Sequence, residues 1–200
     1  TAYEILAWLE FRRVLFRSIA QITKLKQCAL SKDLELFPCC EGAKLDVLLD
    51  LLEEIQGQTV ICSCFPSYLR PLLTVLREKG YRVDLIDGST SEKNRERITN
   101  EFQNGDIDIV MFSSKAGSES ITLTAGENYI QLDKPWTAAE EDQAFGRIYR
   151  IGQERKVFRY NLFAENTIEQ YIEAVIDRKR NLMDNSIPVV DIRRIMYGTN

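Results

Sequence analysis

Gln143, Arg147 and Arg150 stand at i, i+4 and i+7, so on a continuing helix they would line one face, just before Gly152. Two guanidiniums a turn apart make an anion clamp. Arginine stays protonated and its planar fork matches phosphate oxygens, which is what charge stabilisation in phosphoryl transfer requires. The alternative is a solvated basic face, extended by Arg155, Lys156 and Arg159. A second stretch, Ser113 to Leu123 (SSKAGSESITL), is small, hydroxyl-rich and preceded by an apolar run. Backbone N–H groups and hydroxyls in such a loop can meet phosphate with no bulky side chain between them; ordinary turn chemistry is the alternative.

Other chemistries are excluded by composition. The chain has no histidine, so Ser-His-Asp and Cys-His catalysis lack their base. Its five cysteines (Cys28, Cys39, Cys40, Cys62, Cys64) include a vicinal pair and a CxC inside an apolar run, not paired CxxC units. They read as reduced thiols, and no metal site is expected. Lys plus Arg total 26 against 30 Asp plus Glu, a net charge of -4, which excludes a histone-like protein and confines any nucleic-acid contact to a local patch. Apolar runs such as Ile109 to Phe112 fall far short of the ~20 residues that span a bilayer. No secretory signal is recognisable, and a cytoplasmic location is expected.

The elements that must position these residues follow from periodicity. Leu45, Leu48, Leu49 and Leu52 recur at helical spacing over Ala43 to Ile55. Thr59 to Cys64 (TVICSC) is uncharged and β-branched, which predicts a strand buried on both faces. Pro66 opens a helix with Leu69, Leu72, Leu73 and Leu76 inward and Gly80 at its end. A strand over Tyr81 to Ile86, a helix over Ser91 to Phe102 and a strand over Ile107 to Phe112 complete a βαβαβ pattern. Two more strands are predicted at Tyr129 to Leu132 and Val157 to Phe163, separated by a helix whose capping box is Thr137-x-x-Glu140. A final helix runs from Thr167 to Leu182. Strands alternating with helices predict an α/β fold, a parallel sheet with helices on both faces and right-handed crossovers. Residues Glu10 to Ser18 (EFRRVLFRS) match at all nine positions the translation of a widely used sequencing adapter, so 1–18 are read as non-native.

With the elements placed, the motifs acquire a resemblance. Gln143-x-x-Gly146-Arg147-x-x-Arg150 resembles motif VI of superfamily-two helicases, and Arg150-Ile151-Gly152-Gln153 narrows it to the Swi/Snf-type branch. Val60 to Phe65 resembles motif IV. Asp87-Gly88-Ser89-Thr90 with Arg95 and Phe102 resembles the signature that follows, and Ser114-Lys115-Ala116-Gly117 with Ile121 to Ala125 resembles motif V. Asp133-Lys134-Pro135-Trp136 keeps the family's spacing to Gln143. The chain departs from the family pattern at Ser120, at Tyr149 and at Thr137-Ala138.

The resemblance implies a RecA-like C-terminal lobe over 43–183, after a 19–42 remnant of the connection from a first lobe and before a tail at 184–200. It implies that Arg150 and Arg147 act catalytically on the γ-phosphate, and that Gln143, Gly117 and Glu119 join them in binding nucleotide. It assigns DNA-backbone contacts to Ser113, Ser114, Lys115, Ser89 and Thr90. ATP and Mg2+ would be held mainly by the first lobe, because no GxxxxGK[ST] phosphate loop occurs in these residues. Implied partners are double-stranded DNA and that first lobe, with no membrane. The whole would be a DNA translocase or helicase-like ATPase of microbial or phage origin, or nuclear if eukaryotic, and the fragment alone inactive. The alternatives are an RNA helicase lobe of the same superfamily and an interaction domain that kept the fold without the motor.

Overall fold

Each predicted strand forms, and all five join one sheet. The computed structural model describes residues 20–30, 42–114 and 121–184, with side chains through Arg178. Helix α1 occupies 20–30. There follow α2 (Ala43–Glu54), β1 (Thr59–Ser63), α3 (Pro66–Glu78), β2 (Val83–Ile86), α4 (Glu92–Gln103), β3 (Ile109–Ser113), β4 (Asn128–Gln131), α5 (Ala138–Phe145), β5 (Phe158–Asn161) and α6 (Ile168–Asp184). The strand order is β2-β3-β1-β4-β5, with every pair parallel. The non-native segment inferred for 1–18 and the tail after 184 lie outside the described residues.

Alternation along the strands sorts the core into two layers. Ile61, Ile109, Met111 and Ile130 face α2 and α3 and pack against Leu48, Leu52, Leu69, Leu72 and Leu76. Val60, Cys62, Val110, Phe112 and Tyr129 face the other way, against Ile98 and Phe102 of α4 and Ala144 of α5. Each fully buried leucine or isoleucine contributes about 1.5–3 kcal/mol relative to exposure. β1 is buried at all five residues, as a central parallel strand must be. β5 is the edge strand and differs from the expectation. It is four residues long with both ends exposed, because it has a neighbour on one side only. The Thr137 hydroxyl caps α5 by accepting from the Glu140 N–H at 3.2 Å, and the Glu140 carboxylate accepts from the Trp136 N–H at 3.1 Å.

Two helical lysines are buried, Lys26 in a stretch where no element was predicted and Lys44 at the start of α2. Lys26 of α1 is fully buried; its Nζ donates to the Lys134 carbonyl at 2.5 Å, lies 3.8 Å from Asp133 and sits 4.3 Å from the Trp136 ring centroid. Lys44 of α2 reaches both carboxylate oxygens of Glu169 on α6, at 2.8 and 2.7 Å, and the Leu132 carbonyl at 2.7 Å. These contacts fasten α1, α2 and α6 to the end of β4. No helix among the described residues is long and apolar enough to cross a membrane.

Candidate functional site

The segment carrying both arginines is not a helix face. α5 stops at Phe145, where Gly146 caps it by donating its N–H to the Asp142 carbonyl at 2.8 Å, and the chain then runs through turns to Gln153. The expected single stripe of Gln143, Arg147 and Arg150 is therefore corrected: Gln143 lies exposed on α5 and the arginines lie beyond its end. The cause is tertiary. Ile148 is fully buried, and the Arg147 carbonyl accepts from the Leu123 N–H at 2.9 Å, so the backbone leaves its helical path to satisfy both. A close approach makes this possible at Gly126, where a Cβ would lie 3.1 Å from Val60 Cγ2 and 3.2 Å from the Leu123 carbonyl oxygen.

Side chains brace α5 from below. Glu141 is fully buried and pairs with Lys134 at 3.3 Å and with Arg159. The Arg159 guanidinium lies 5.1 Å from the Phe145 ring centroid. Phe145 meets Tyr129 edge to face at 5.5 Å, and Tyr149 stacks on Phe145 at 5.7 Å. Tyr149, a departure from the family pattern, thus extends an aromatic column towards solvent.

Arg147 is half-buried, and its Nε has no hydrogen-bond partner among the described residues. Burial pushes its pKa down and the charge of Arg150 pushes the same way. Arg150 is exposed and donates from Nη1 to the Thr122 hydroxyl at 3.0 Å. No carboxylate pairs with either guanidinium among the described residues. Two like charges, one partly desolvated, are stabilised by an anion that takes hydrogen bonds from both. Phosphate oxygens meet that demand.

The hydroxyl groups sit elsewhere, at the carboxyl ends of β2 and β3. Asp87 follows β2 and organises its turn. It accepts from the Ser89 N–H at 2.8 Å, the Ser89 hydroxyl at 2.5 Å, and Arg70 Nε and Nη2 at 3.1 and 2.9 Å. The Thr90 hydroxyl accepts from the Asp87 N–H at 3.0 Å. Ser89 and Thr90 thus spend much of their hydrogen bonding on the turn itself. Ser113 is buried at the end of β3, and the Ser114 N–H donates to the Ser63 carbonyl at 2.9 Å. Lys115, Gly117 and Glu119 lie outside the described residues. The structure brings Arg147 and Arg150 to Thr122 and Leu123, and gathers Ser89, Thr90, Ser113 and Ser114 at two adjacent strand ends.

Burial opposes ionisation of Asp87, but the Ser89 hydrogen bonds and the Arg70 guanidinium outweigh it and hold the carboxyl down at about 2, against an ordinary 3.8. A folded value below the unfolded one stabilises the protein above pH ~4, and the stabilisation is lost as the pH falls towards ~2. Asp87→Asn is therefore expected to flatten the fall in Tm over that range. A Tm profile parallel to that of the unaltered chain would show that the turn carries no such linkage.

Among the described residues the cysteines take no part in the site. Cys28, Cys62 and Cys64 are free thiols, and burial, the largest influence, pushes Cys62 up to about 12. Among the described residues no group of three or more His, Cys, Asp or Glu could hold a metal. Three residues escaped the reading of the sequence. Lys26 gave no signal, Thr122 was one hydroxyl among many, and Gln153 counted as part of a motif without a role.

The family model of the helicase conserved C-terminal domain matches residues 43–152, more than half of the chain. The chain belongs to this family. The helicase C-terminal domain is 35% identical to YwqA of Bacillus subtilis (strain 168) over 150 residues, which are 73% of this chain and 16% of YwqA. It resembles the crystal structure of the C-terminal part of the Fun30 ATPase domain with a TM-score of 0.65 and 31% identity, over 68% of this chain and 46% of that one. The SWI2/SNF2 ATPase core of Sulfolobus solfataricus, solved in complex with dsDNA, gives a TM-score of 0.69 at 26% identity, over 82% of this chain and 36% of that one. The domain is of the Swi/Snf type and its sheet is that of the RecA-like C-terminal lobe. It spans well under two thirds of the length of the relatives it matches.

Proposed function

We propose that this helicase C-terminal domain is the second lobe of an ATP-dependent motor that moves along double-stranded DNA. The observation that carries the reading is the arginine pair: Arg147 half-buried with its Nε unpartnered among the described residues, and Arg150 exposed beside it. That arrangement fits the phosphates of ATP, with Arg147 fixed against bound phosphate and Arg150 free to reach charge that develops on the γ-phosphoryl group. Mg2+ neutralises phosphate charge in such a reaction, and the first lobe would hold it. Ser89, Thr90, Ser114 and Lys115 would contact the DNA backbone and not base edges, which makes binding tolerant of sequence and sensitive to salt. The relation to the DNA-bound SWI2/SNF2 core supports duplex DNA as the track.

Joined to a first lobe that carries a phosphate loop, the domain is expected to hydrolyse ATP, and duplex DNA is expected to stimulate turnover well beyond RNA of equal length. The domain alone is expected to hydrolyse none. Equal stimulation by RNA would move the domain to the RNA helicases, and turnover by the purified domain alone would overturn the division of labour between lobes.

A further inference from the structure

The two arginines stand on eight residues without regular structure, Gly146 to Gln153, so their position depends on a few identifiable bonds. Ile148 anchors one end in the core, and the other end closes on a single side chain. The Gln153 amide donates to the Gly126 carbonyl at 3.1 Å and to the Ile148 carbonyl at 3.5 Å, and its oxygen accepts from the Arg155 N–H at 2.9 Å. Its backbone N–H donates to the Arg150 carbonyl at 3.0 Å, a turn that needs Gly152 at φ +102. One side chain therefore ties together the loop leading into β4, the buried anchor between the arginines and the loop leading into β5. The neighbouring Arg155–Glu127 pair, at 2.6 Å, is solvent-exposed and adds little.

We infer that Gln153 is a positioning residue for the anion site: it makes no contact with phosphate and sets where Arg147 and Arg150 stand. The inference rests on the reading of that pair as a phosphate clamp. An amide suits the task because it donates and accepts at once, which neither a carboxylate nor an ammonium does. Without it the Gly126 and Ile148 carbonyls lose their shared donor, and the loop from Arg150 to Arg155 can open while the hydrophobic layers stay intact. A displacement of about 1 Å in such a group is enough to cost ~10²-fold in a catalysed rate.

The domain itself suffices for the test, with inorganic tripolyphosphate as the probe and the Nε–H resonance of Arg147 as the reporter; burial shields that proton from exchange. Gln153→Met keeps the length and neutrality but loses all three side-chain bonds, and Gln153→Asn keeps the amide but falls a methylene short. Neither changes the charge around the site. Both are expected to weaken tripolyphosphate binding about tenfold and to shift the Arg147 signal before probe is added, with Tm within about 3 °C of the unaltered domain. Wild-type affinity in both variants would overturn the inference. So would a fall in Tm large enough to account for the lost binding, because Gln153 would then serve the fold alone. Arg147→Ala and Arg150→Ala separate the two levels. If they bind as the unaltered domain does, the phosphate clamp itself is wrong; if they lose binding while the Gln153 variants keep it, only the positioning role fails.

Discussion

In a protein that joins both lobes, Arg150→Ala is expected to cut kcat by a factor of about 10³, the low end for an arginine finger, while the KM for ATP moves much less. The asymmetry follows from the geometry. Arg150 is exposed and its guanidinium is held, among the described residues, by a 3.0 Å hydrogen bond to the Thr122 hydroxyl, so it is free to swing onto charge that appears during phosphoryl transfer. Arg147 is half-buried and less free to move, so its alanine variant is expected to raise KM as well as lower kcat. Arg150→Lys should not restore turnover, because an ammonium keeps the charge but loses the planar fork. A solvated basic face predicts near-normal turnover for both Arg150 variants and at most a change in DNA affinity that salt abolishes. Steady-state kinetics decide between the two, and a kcat within about threefold of normal for the alanine variant would return Arg150 to the solvated face.

Glu169→Ala is expected to destabilise the domain severely. Lys44 and Glu169 are both more than nine-tenths buried, and both carboxylate oxygens accept from the ammonium at 2.7 to 2.8 Å. One of those oxygens also accepts the Ala164 N–H at 3.0 Å. Removing the carboxylate leaves a buried ammonium with one carbonyl for company, a loss of about 3–5 kcal/mol. For a domain of this size that lowers Tm by roughly 6–20 °C. Replacing both partners, Lys44→Met with Glu169→Leu, should recover most of the loss, since no charge is then left stranded. Thermal unfolding of Lys44→Met, Glu169→Leu and the variant that combines them forms a closed cycle. A Tm drop under about 2 °C for Glu169→Ala would mean that water reaches the pair.

The parts of the fold that could be read in advance are those fixed by local pattern. β1 has no charge and no turn residue, so a doubly covered strand is the one place for it. The Thr137 cap and the turn at Asp87 are written in adjacent residues. The arginine segment was readable in its chemistry but not in its path. Nothing in residues 138–150 forbids a longer helix; what stops it is the demand of Ile148 for the core and of the Leu123 N–H for a carbonyl, and both partners are distant in sequence. Lys26 was invisible for the same reason. A lysine on a helix normally reaches water; here Phe65, Trp136, the Lys134 carbonyl and Asp133, brought together at the end of the sheet, account for its burial.

The order of the strands also governs how the chain comes to be folded. β1 is made first of the five and ends in the middle, with Thr59 beside Ile109 on one side and Asn128 on the other. Neither neighbour exists until the chain has been extended well past β2, and β2 itself touches β1 nowhere in the sheet. Parallel pairing over such separations closes large loops before any contact rewards them, which makes assembly slower than that of a helical bundle. Meanwhile Thr59 to Ser63, uncharged and destined for complete burial, waits with both edges open. That waiting strand is the segment by which a nascent or heat-opened chain would associate with its own kind.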